Sequence, residues 1–413
     1  MRRRALDDRP ADAALHARLA QMLCFLDDLD GAVEQYETIK RVVGDDPLVE
    51  SNLGIVLTLQ GRLDAAMDAH RRALGGAPEG LTPLRVILLW NTGLTFLASG
   101  RLREGWDAYE ARIPLGLGPR TRAPLPEWGV TGDDPRSVLV VGEQGVGDEV
   151  LFGSCLSDLP DGAGRVYVEC DPRLVSLLSR SFPKARVGPH GTWSAPSVTA
   201  SPGEGPEAYI AAGSLPRRYR RDHASFPADG AYLRPDPEKV AGWRARLANL
   251  PCGIKVGISW RSVRAGVQRR RDYATLRAWA PILRRSDMQF VNLQYGDCER
   301  ELLDVERQLG ITIHRWDDLD LFDDLEGVAA LIAALGVVVA PRNAVAHLAG
   351  AVGTKTVMLA NPYTWSDLGT GSLPWFPAVT PVYRAPGGTW DSPIEKVAGL
   401  LVQAVDPPSR IDA

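Results

Sequence analysis

A short apolar run, Val138-Leu139-Val140-Val141, leads straight into Gly142-Glu143-Gln144-Gly145-Val146-Gly147-Asp148-Glu149. The run reads as a buried strand, the glycines as a tight turn, and Glu149-Val150-Leu151-Phe152 as the opening of a helix. Such a junction presents backbone N–H groups at a helix N-terminus, where anions gather, and Gly145 and Gly147 are its candidate ligand-binding residues. Asp148 departs from the pattern, because a carboxylate repels phosphate and suits a hydroxyl group about to lose its proton. It is the candidate catalytic residue. Helix capping, which the dipole favours at the same place, is the competing role.

A second stretch has the same logic: Val337-Val338-Val339-Ala340-Pro341-Arg342 continues into Asn343-Ala344-Val345-Ala346-His347. A buried strand meets a helix whose N-cap is Asn343, and small residues leave the N–H groups of Ala344, Val345 and Ala346 approachable by an anionic ligand. His347 is placed either to touch a phosphate or sugar or to pack as a hydrogen-bonded core residue.

Basic residues crowd the segment after the apolar run ending at Trp260: Arg261, Arg264, Arg269, Arg270 and Arg271. Another group, Arg217-Arg218-Tyr219-Arg220-Arg221, follows Ser214-Leu215-Pro216. Each either faces an anion or forms a solvated charged surface. The acidic stretch Asp317-Asp318-Leu319-Asp320-Leu321-Phe322-Asp323-Asp324 contains a D-x-D triplet, but it sits in a polar loop before a helix, where capping accounts for it. No His/Cys grouping has metal-ligand spacing, so no metal is expected. Gly145-Val146-Gly147 lacks the third glycine of a dinucleotide fingerprint, which argues against a dehydrogenase.

The elements that must position these residues fall into separate regions. Leu29-Asp30-Gly31-Ala32-Val33-Glu34-Gln35-Tyr36 recurs as Leu63-Asp64-Ala65-Ala66-Met67-Asp68-Ala69-His70 and as Leu102-Arg103-Glu104-Gly105-Trp106-Asp107-Ala108-Tyr109, at offsets of 34 and 39 residues. Asn52-Leu53-Gly54 matches Asn91-Thr92-Gly93, and Gly61-Arg62 matches Gly100-Arg101. A helix–turn–helix unit of this period resembles the tetratricopeptide repeat, whose stacks expose a concave face suited to a protein partner. The five extra residues of the longer offset fall in Glu79–Arg85. Pro114–Pro135, rich in Pro and Gly, reads as a linker packed on the domain C-terminal to it.

From Ser137 strands and helices alternate: strands at Val138–Val141, Val166–Val168, Val256–Trp260, Phe290–Leu293, Val337–Ala340 and Thr356–Leu359. Helices are expected at Glu149–Leu159, Pro172–Ser181, Thr275–Arg284, Asp297–Leu309, Glu326–Leu335, Ala344–Ala351 and Pro393–Val402, with a boundary around Pro235–Pro251. The fold class is an α-helical repeat domain plus an α/β part made of two doubly wound, Rossmann-like lobes. The expected bounds are 1–115 for the repeats, 116–136 for the linker, 137–240 for the first Rossmann-like lobe and 241–413 for the second.

Composition narrows the class further. A length of 413 residues exceeds one core, 45% hydrophobic and 24% charged residues are ordinary for a globular protein, and a net charge of -4 gives no reason to expect nucleic acid. The basic start Met1-Arg2-Arg3-Arg4 is followed by Asp7 and Asp8 instead of an apolar stretch, and no apolar run approaches the ~20 residues that span a bilayer. Five scattered cysteines without a C-x-x-C pair fit free thiols in a reducing compartment, so a cytoplasmic location is expected.

Together the glycine loop ending at Asp148, the Gly257-Ile258-Ser259-Trp260 strand, Phe290-Val291-Asn292-Leu293-Gln294-Tyr295-Gly296-Asp297, Ala344-Val345-Ala346-His347-Leu348-Ala349-Gly350 and Pro374-Trp375-Phe376-Pro377 resemble a known family. These are the inverting glycosyltransferases of the GT-B fold related to the lipopolysaccharide heptosyltransferases. The chain resembles more closely the bacterial proteins in which tetratricopeptide repeats precede such a domain, over roughly residues 10–405.

The resemblance implies that Asp148 acts as general base on the acceptor hydroxyl and that a nucleotide sugar, the co-substrate in place of any cofactor, lies on the second lobe. Its diphosphate would sit at the helix beginning near Ala344, with Trp260, Arg261 and Gln294 in the donor site. Arg270 or Arg271 would neutralise the leaving group. It also implies a protein acceptor held by the repeats, and chains of this arrangement include enzymes that glycosylate flagellin. The sequence departs from the family at Arg342-Asn343, where Asp-Thr or Asp-Ser is usual, and in an N-terminal lobe of only about 100 residues between Ser137 and Arg234. Those departures fit a competing class, a protein-binding scaffold that keeps the fold without turnover.

Overall fold

The computed structural model describes residues 12–119, 124–129, 135–159, 166–194, 205–262 and 272–403. Helix α1 (Ala13–Phe25) pairs with α2 (Leu29–Val43), α3 (Pro47–Leu59) with α4 (Leu63–Gly76), and α5 (Pro83–Ala98) with α6 (Leu102–Tyr109). Their starts are set locally. Asp12, Asp28, Asp46 and Thr82 accept hydrogen bonds from the first turns they precede, and Pro47 and Pro83 occupy first helical positions that need no N–H.

The turn inside each hairpin holds one left-handed residue: Asp27 at φ 63°, Gly61 at φ 77° and Gly100 at φ 82°. All three turns rest on the C-terminal part of the chain. The Arg384 guanidinium lies 2.5 Å from the Asp27 carboxylate. The Tyr363 ring covers Gly61 so closely that a Cβ there would collide with it, and Gly100 faces the Leu368 carbonyl.

The first lobe holds β1 (Val138–Val141), α7 (Val146–Gly153), β2 (Val166–Cys170), α8 (Val175–Ser181), β3 (Arg186–Pro189), β4 (Ala208–Ala211) and α9 (Leu215–Tyr219). Its four-stranded parallel sheet has the order β3-β2-β1-β4. Helix α10 (Pro237–Ala248) then crosses to the second lobe, which comprises β5 (Ile254–Ile258), α11 (Ala280–Leu283), β6 (Met288–Asn292), α12 (Glu299–Leu309), β7 (Ile313–His314), α13 (Leu325–Ala334), β8 (Val337–Pro341), α14 (Ala344–Val352), β9 (Thr356–Ala360), β10 (Val379–Tyr383) and α15 (Asp391–Gln403). Its six-stranded parallel sheet has the order β10-β9-β8-β5-β6-β7. This is the doubly wound arrangement, and the order reverses between β1 and β4 in one lobe and between β5 and β8 in the other. Crevices at the carboxyl ends of these strand pairs are where ligands bind in such sheets. The two-lobed α/β architecture is that of the GT-B fold.

Several elements differ from the sequence expectation. Strands β3, β4, β7 and β10 and helix α10 are additional to it. The supposed boundary at α10 is a helix with Asp236 as N-cap, burying Val240, Trp243 and Leu247 against α13. Helix α7 starts at Val146, and its last expected turns, Ser154–Asp158, are a 3₁₀ segment. In the linker, Trp128 donates its N–H to the Tyr209 carbonyl at 2.7 Å, so residues 126–128 extend the first sheet beside β4.

The first two hairpins bury a core of their own around Tyr36, Ile39 and Leu57, whereas the last hairpin shares the core of the lobes. Leu97, Leu102, Trp106 and Tyr109 belong to the same buried cluster as Val140 and Phe152 of the first lobe and Ala346 and Trp375 of the second. The junction is fastened by a buried ion pair: Arg112 Nε donates to Glu143 Oε1 at 2.7 Å, with both side chains fully enclosed. Arg112 also donates to Ser214 Oγ at 2.8 Å and to Glu110 Oε1 at 2.8 Å, so the guanidinium is well satisfied. Truncating one partner of a buried pair leaves the other charge unpaired, at a cost of roughly 3–5 kcal/mol. Arg112→Ala is expected to lose about that much in urea unfolding. Arg136→Ala, which removes an exposed partner of Glu207, is expected to change stability by less than about 1 kcal/mol. Equal losses in the two variants would mean that the junction contributes nothing special.

Candidate active site

The two switch-point crevices face one another, and the N-terminal turns of α7 and α14 touch. A Cβ on Gly147 would lie 3.5 Å from both the Ala344 Cα and His347 Nδ1, ordinary contact distance, so the two turns pack directly on one another. His347 Nδ1 donates to the Gly147 carbonyl at 2.9 Å, a direct bond between the lobes. Asp148, the next residue, stands in the first turn of α7, where Gly145 and not Asp148 is the N-cap. The Asp148 and Glu149 N–H groups both bond to the Gly145 carbonyl at 2.9 Å, which fixes the turn beneath the carboxylate.

On the second lobe, Asn343 caps α14 by accepting from Ala346 N–H at 3.1 Å, while its Nδ2 donates to Ser259 Oγ at 2.9 Å. Ala344 is partly exposed at the head of the helix, and Val345 and Ala346 are buried. Gln294 is buried and acts as a clasp between strand ends: its Oε1 accepts from the N–H groups of Trp260 and Arg261, each at 2.9 Å. The Trp260 ring lies in the core with its Nε1 donating to Glu301 at 2.6 Å, so its side chain supports the crevice from below. Arg261 is likewise tied to Glu301 and to the Asp297 carbonyl. The structure therefore brings Gly145, Gly147, Asp148, Asn343, Ala344 and His347 together and places Trp260, Arg261 and Gln294 in the layer beneath. Arg264, Arg269, Arg270 and Arg271 lie outside the described residues.

Arg342 donates to Ser366 Oγ at 2.6 Å and pairs with the Asp367 carboxylate at 2.8 Å, anchoring the loop on which the Gly61 and Gly100 turns rest. The departure at this position thus serves the junction with the repeats. The basic group after Ser214 is also engaged: Arg217 and Arg221 pair with Asp107, Arg220 is buried against Asp158, and Arg218 stacks over Trp128 at 4.0 Å. In the acidic loop, Asp318 pairs with Arg246, Asp320 accepts from Phe322 and Asp323 N–H groups, and Asp324 caps α13. No described helix is long and apolar enough to cross a membrane.

Beyond the expected residues, the site has walls that sequence reasoning missed. From the first turn of α7, Glu149 accepts from Asp171 N–H at 2.7 Å and pairs with His190 at 2.9 Å, and that hydrogen bond raises the His190 pKa above its ordinary value. Arg173 crosses the gap, bonding the Phe322 carbonyl at 3.0 Å and stacking over its ring. At the carboxyl ends of β6 and β7 a cleft of about 290 Å³ is lined by Asn292, Gln294, Tyr295, Asp320 and Phe322 among others. Polar residues at strand ends had no periodicity to reveal them.

Fold and site define a two-lobed α/β protein with a helical repeat built into its crevice. No family model matches the chain. It is 34% identical over 412 residues to Protein FlbA of Caulobacter vibrioides, the match spanning 96% of this chain and 68% of that protein. The chain belongs to the FlbA family.

Solved structures resemble it weakly. Escherichia coli ADP-heptose lipopolysaccharide heptosyltransferase II is 14% identical at a TM-score of 0.43, over 65% of this chain and 99% of that one. A glycosyl transferase family 9 protein of Veillonella parvula is 11% identical at 0.46, over 66% and 99%. An O-GlcNAc transferase of Thermobaculum terrenum is 13% identical at 0.30, over 98% and 86%.

Burial pushes the His347 and His70 pKa values down to about 4, so both are neutral near pH 7. Between pH 6.5 and 4 the unfolded chain takes up protons that the folded chain cannot, so stability falls as pH falls through that window. His347→Asn keeps a donor for Gly147 and is expected to reduce the acid loss by on the order of 1–3 kcal/mol, read as urea unfolding at about pH 7 against about pH 4.5. An acid loss identical to that of the parent chain would assign the titration to other groups.

Proposed function

We propose that this protein is a nucleotide-sugar-dependent glycosyltransferase that moves a sugar, with inversion and without metal, onto a protein acceptor held by the repeats. The observation that supports the proposal is the close approach of Gly147 to Ala344, which brings the first turn of α7, where Asp148 stands, against the N-terminus of α14. An inverting transfer needs those two groups together. The carboxylate takes the acceptor hydroxyl proton as its oxygen attacks the anomeric carbon, and the bond to the nucleotide diphosphate breaks on the opposite face. The developing phosphate charge is met by backbone dipoles at the head of α14. Asn343 supports this role, since an amide caps the helix without placing a negative charge against the phosphate. The cleft at Tyr295 and Phe322 offers room for the nucleoside beside the same switch point.

The commitment of Arg342 to Asp367 favours a second reading, a scaffold without turnover, because that cation is already paired. Titration with UDP, GDP, CMP and ADP in the presence of EDTA separates the two. Binding of one nucleotide supports the transferase, and binding that EDTA abolishes would redirect the search to the acidic loop. Flagellin is the first acceptor to test.

Asp148→Asn retains size and most hydrogen bonding but removes the proton acceptor. It is expected to keep stability within about 1 kcal/mol and to leave nucleotide affinity unchanged, while transfer falls on the order of 10²–10⁴-fold. Near-normal transfer in this variant would remove Asp148 from catalysis.

A further inference from the structure

Gln144 adopts a left-handed backbone at φ 66°, which glycine reaches freely and a residue with a side chain does not. It stands between Glu143, gripped by Arg112, and Gly145, the N-cap of α7. Such a conformation persists where surrounding contacts over-determine it, and the exposed Gln144 side chain supplies one of them: its Nε2 donates to the Tyr109 hydroxyl at 3.0 Å. Tyr109 is the last residue of α6, and so of the repeat stack.

Nothing about the Tyr109 ring leaves that hydroxyl room to drift. The side chain is 1% exposed and meets the Trp106 ring edge-on at 5.5 Å. It also packs against Phe152 of α7 at 6.3 Å and Trp365 of the second lobe at 5.6 Å, with the Arg112 guanidinium 4.9 Å over its face. Burial pushes its pKa above the ordinary tyrosine value, so the hydroxyl stays protonated. A phenylalanine would fill every one of these ring contacts. The hydroxyl has a separate job.

We propose that Tyr109 is a positioning residue for transfer: its hydroxyl holds Gln144 in the left-handed conformation and thereby aims the turn that carries Asp148. The active site is thus completed by a residue of the repeat stack. This inference rests on the glycosyltransferase reading for its effect on rate, but not for its effect on the loop.

The test is Tyr109→Phe in the full chain, alone and combined with Gln144→Gly, which adopts the turn without an anchor. Hydrogen exchange of the Gly145–Asp148 segment is expected to quicken in Tyr109→Phe, with the unfolding temperature lowered by less than about 3 °C. Turnover, read as release of nucleotide from the nucleotide sugar selected by the titration panel, is expected to fall about 10- to 100-fold in kcat with KM for the donor unchanged, the cost of a misplaced catalytic group. In the Gln144→Gly background the same substitution should have little further effect on either readout.

Unchanged exchange and kcat in Tyr109→Phe would overturn the proposal. So would an equal loss with Gln144→Gly present, or collapse of the fold, since either would give the hydroxyl a structural role. Quickened exchange alongside full activity of Asp148→Asn would instead sink the general base while leaving Tyr109 as the anchor of the loop.

Discussion

The enclosed pair between Arg112 and Glu143 is the interaction on which the arrangement depends. Apolar contacts among Trp106, Tyr109, Phe152 and Trp375 supply attraction at the junction but tolerate sliding and rotation. A guanidinium with its donors directed at Glu143, Glu110 and Ser214 tolerates neither. It joins the end of the repeat stack to the carboxyl ends of β1 and β4, the reversal point where an open α/β sheet keeps its crevice. The end of the last hairpin thus packs on the short four-stranded lobe at that crevice.

Backbone strain is distributed along the same seam. Among the described residues, the non-glycine positions with positive φ are Asp27, Gln144, Tyr363 and Leu368. Asp27 meets Arg384, Tyr363 covers Gly61, Leu368 meets Gly100, and Gln144 bonds Tyr109. Such conformations persist where surrounding contacts over-determine them. Their placement here means that repeats and lobes were shaped against one another. With Arg384 and Leu368 on one side and Glu143 on the other, the stack spans both lobes as a brace.

Much of the scaffold was legible in the sequence because it follows from local chemistry. The repeat was visible as recurring Leu-Asp and Gly-Arg pairs, and the structure places those glycines in left-handed turns. The strand-to-helix junctions at Val141 and Pro341 stood out as apolar runs meeting small residues, and Asn343 caps its helix as its type demands. Short strands such as β3 and β10 were hidden because Arg186, Pro189 and Pro381 interrupt their apolar character. Helix α10 is masked by its Pro and charge, which suggest a boundary, although Asp236-Pro237 is a sound start signal. The deeper miss was Tyr109, Arg112 and Glu143. Their meaning lies in contacts between segments far apart in the chain, which no local pattern encodes.

The row of hairpin turns has a consequence for how such a chain can vary. Asp27, Gly61 and Gly100 each dock on a separate seat, formed by Arg384, Tyr363 and Leu368. A whole hairpin inserted between them would slide every preceding turn off its seat, whereas a few residues added in the α4–α5 connection disturb none. The offsets of 34 and 39 residues record that tolerance. A docked solenoid of this kind loses the modular freedom of a free one. It can lengthen only at the end away from the lobes, so the reach of the repeats can diversify while the hairpin that completes the crevice stays fixed in place.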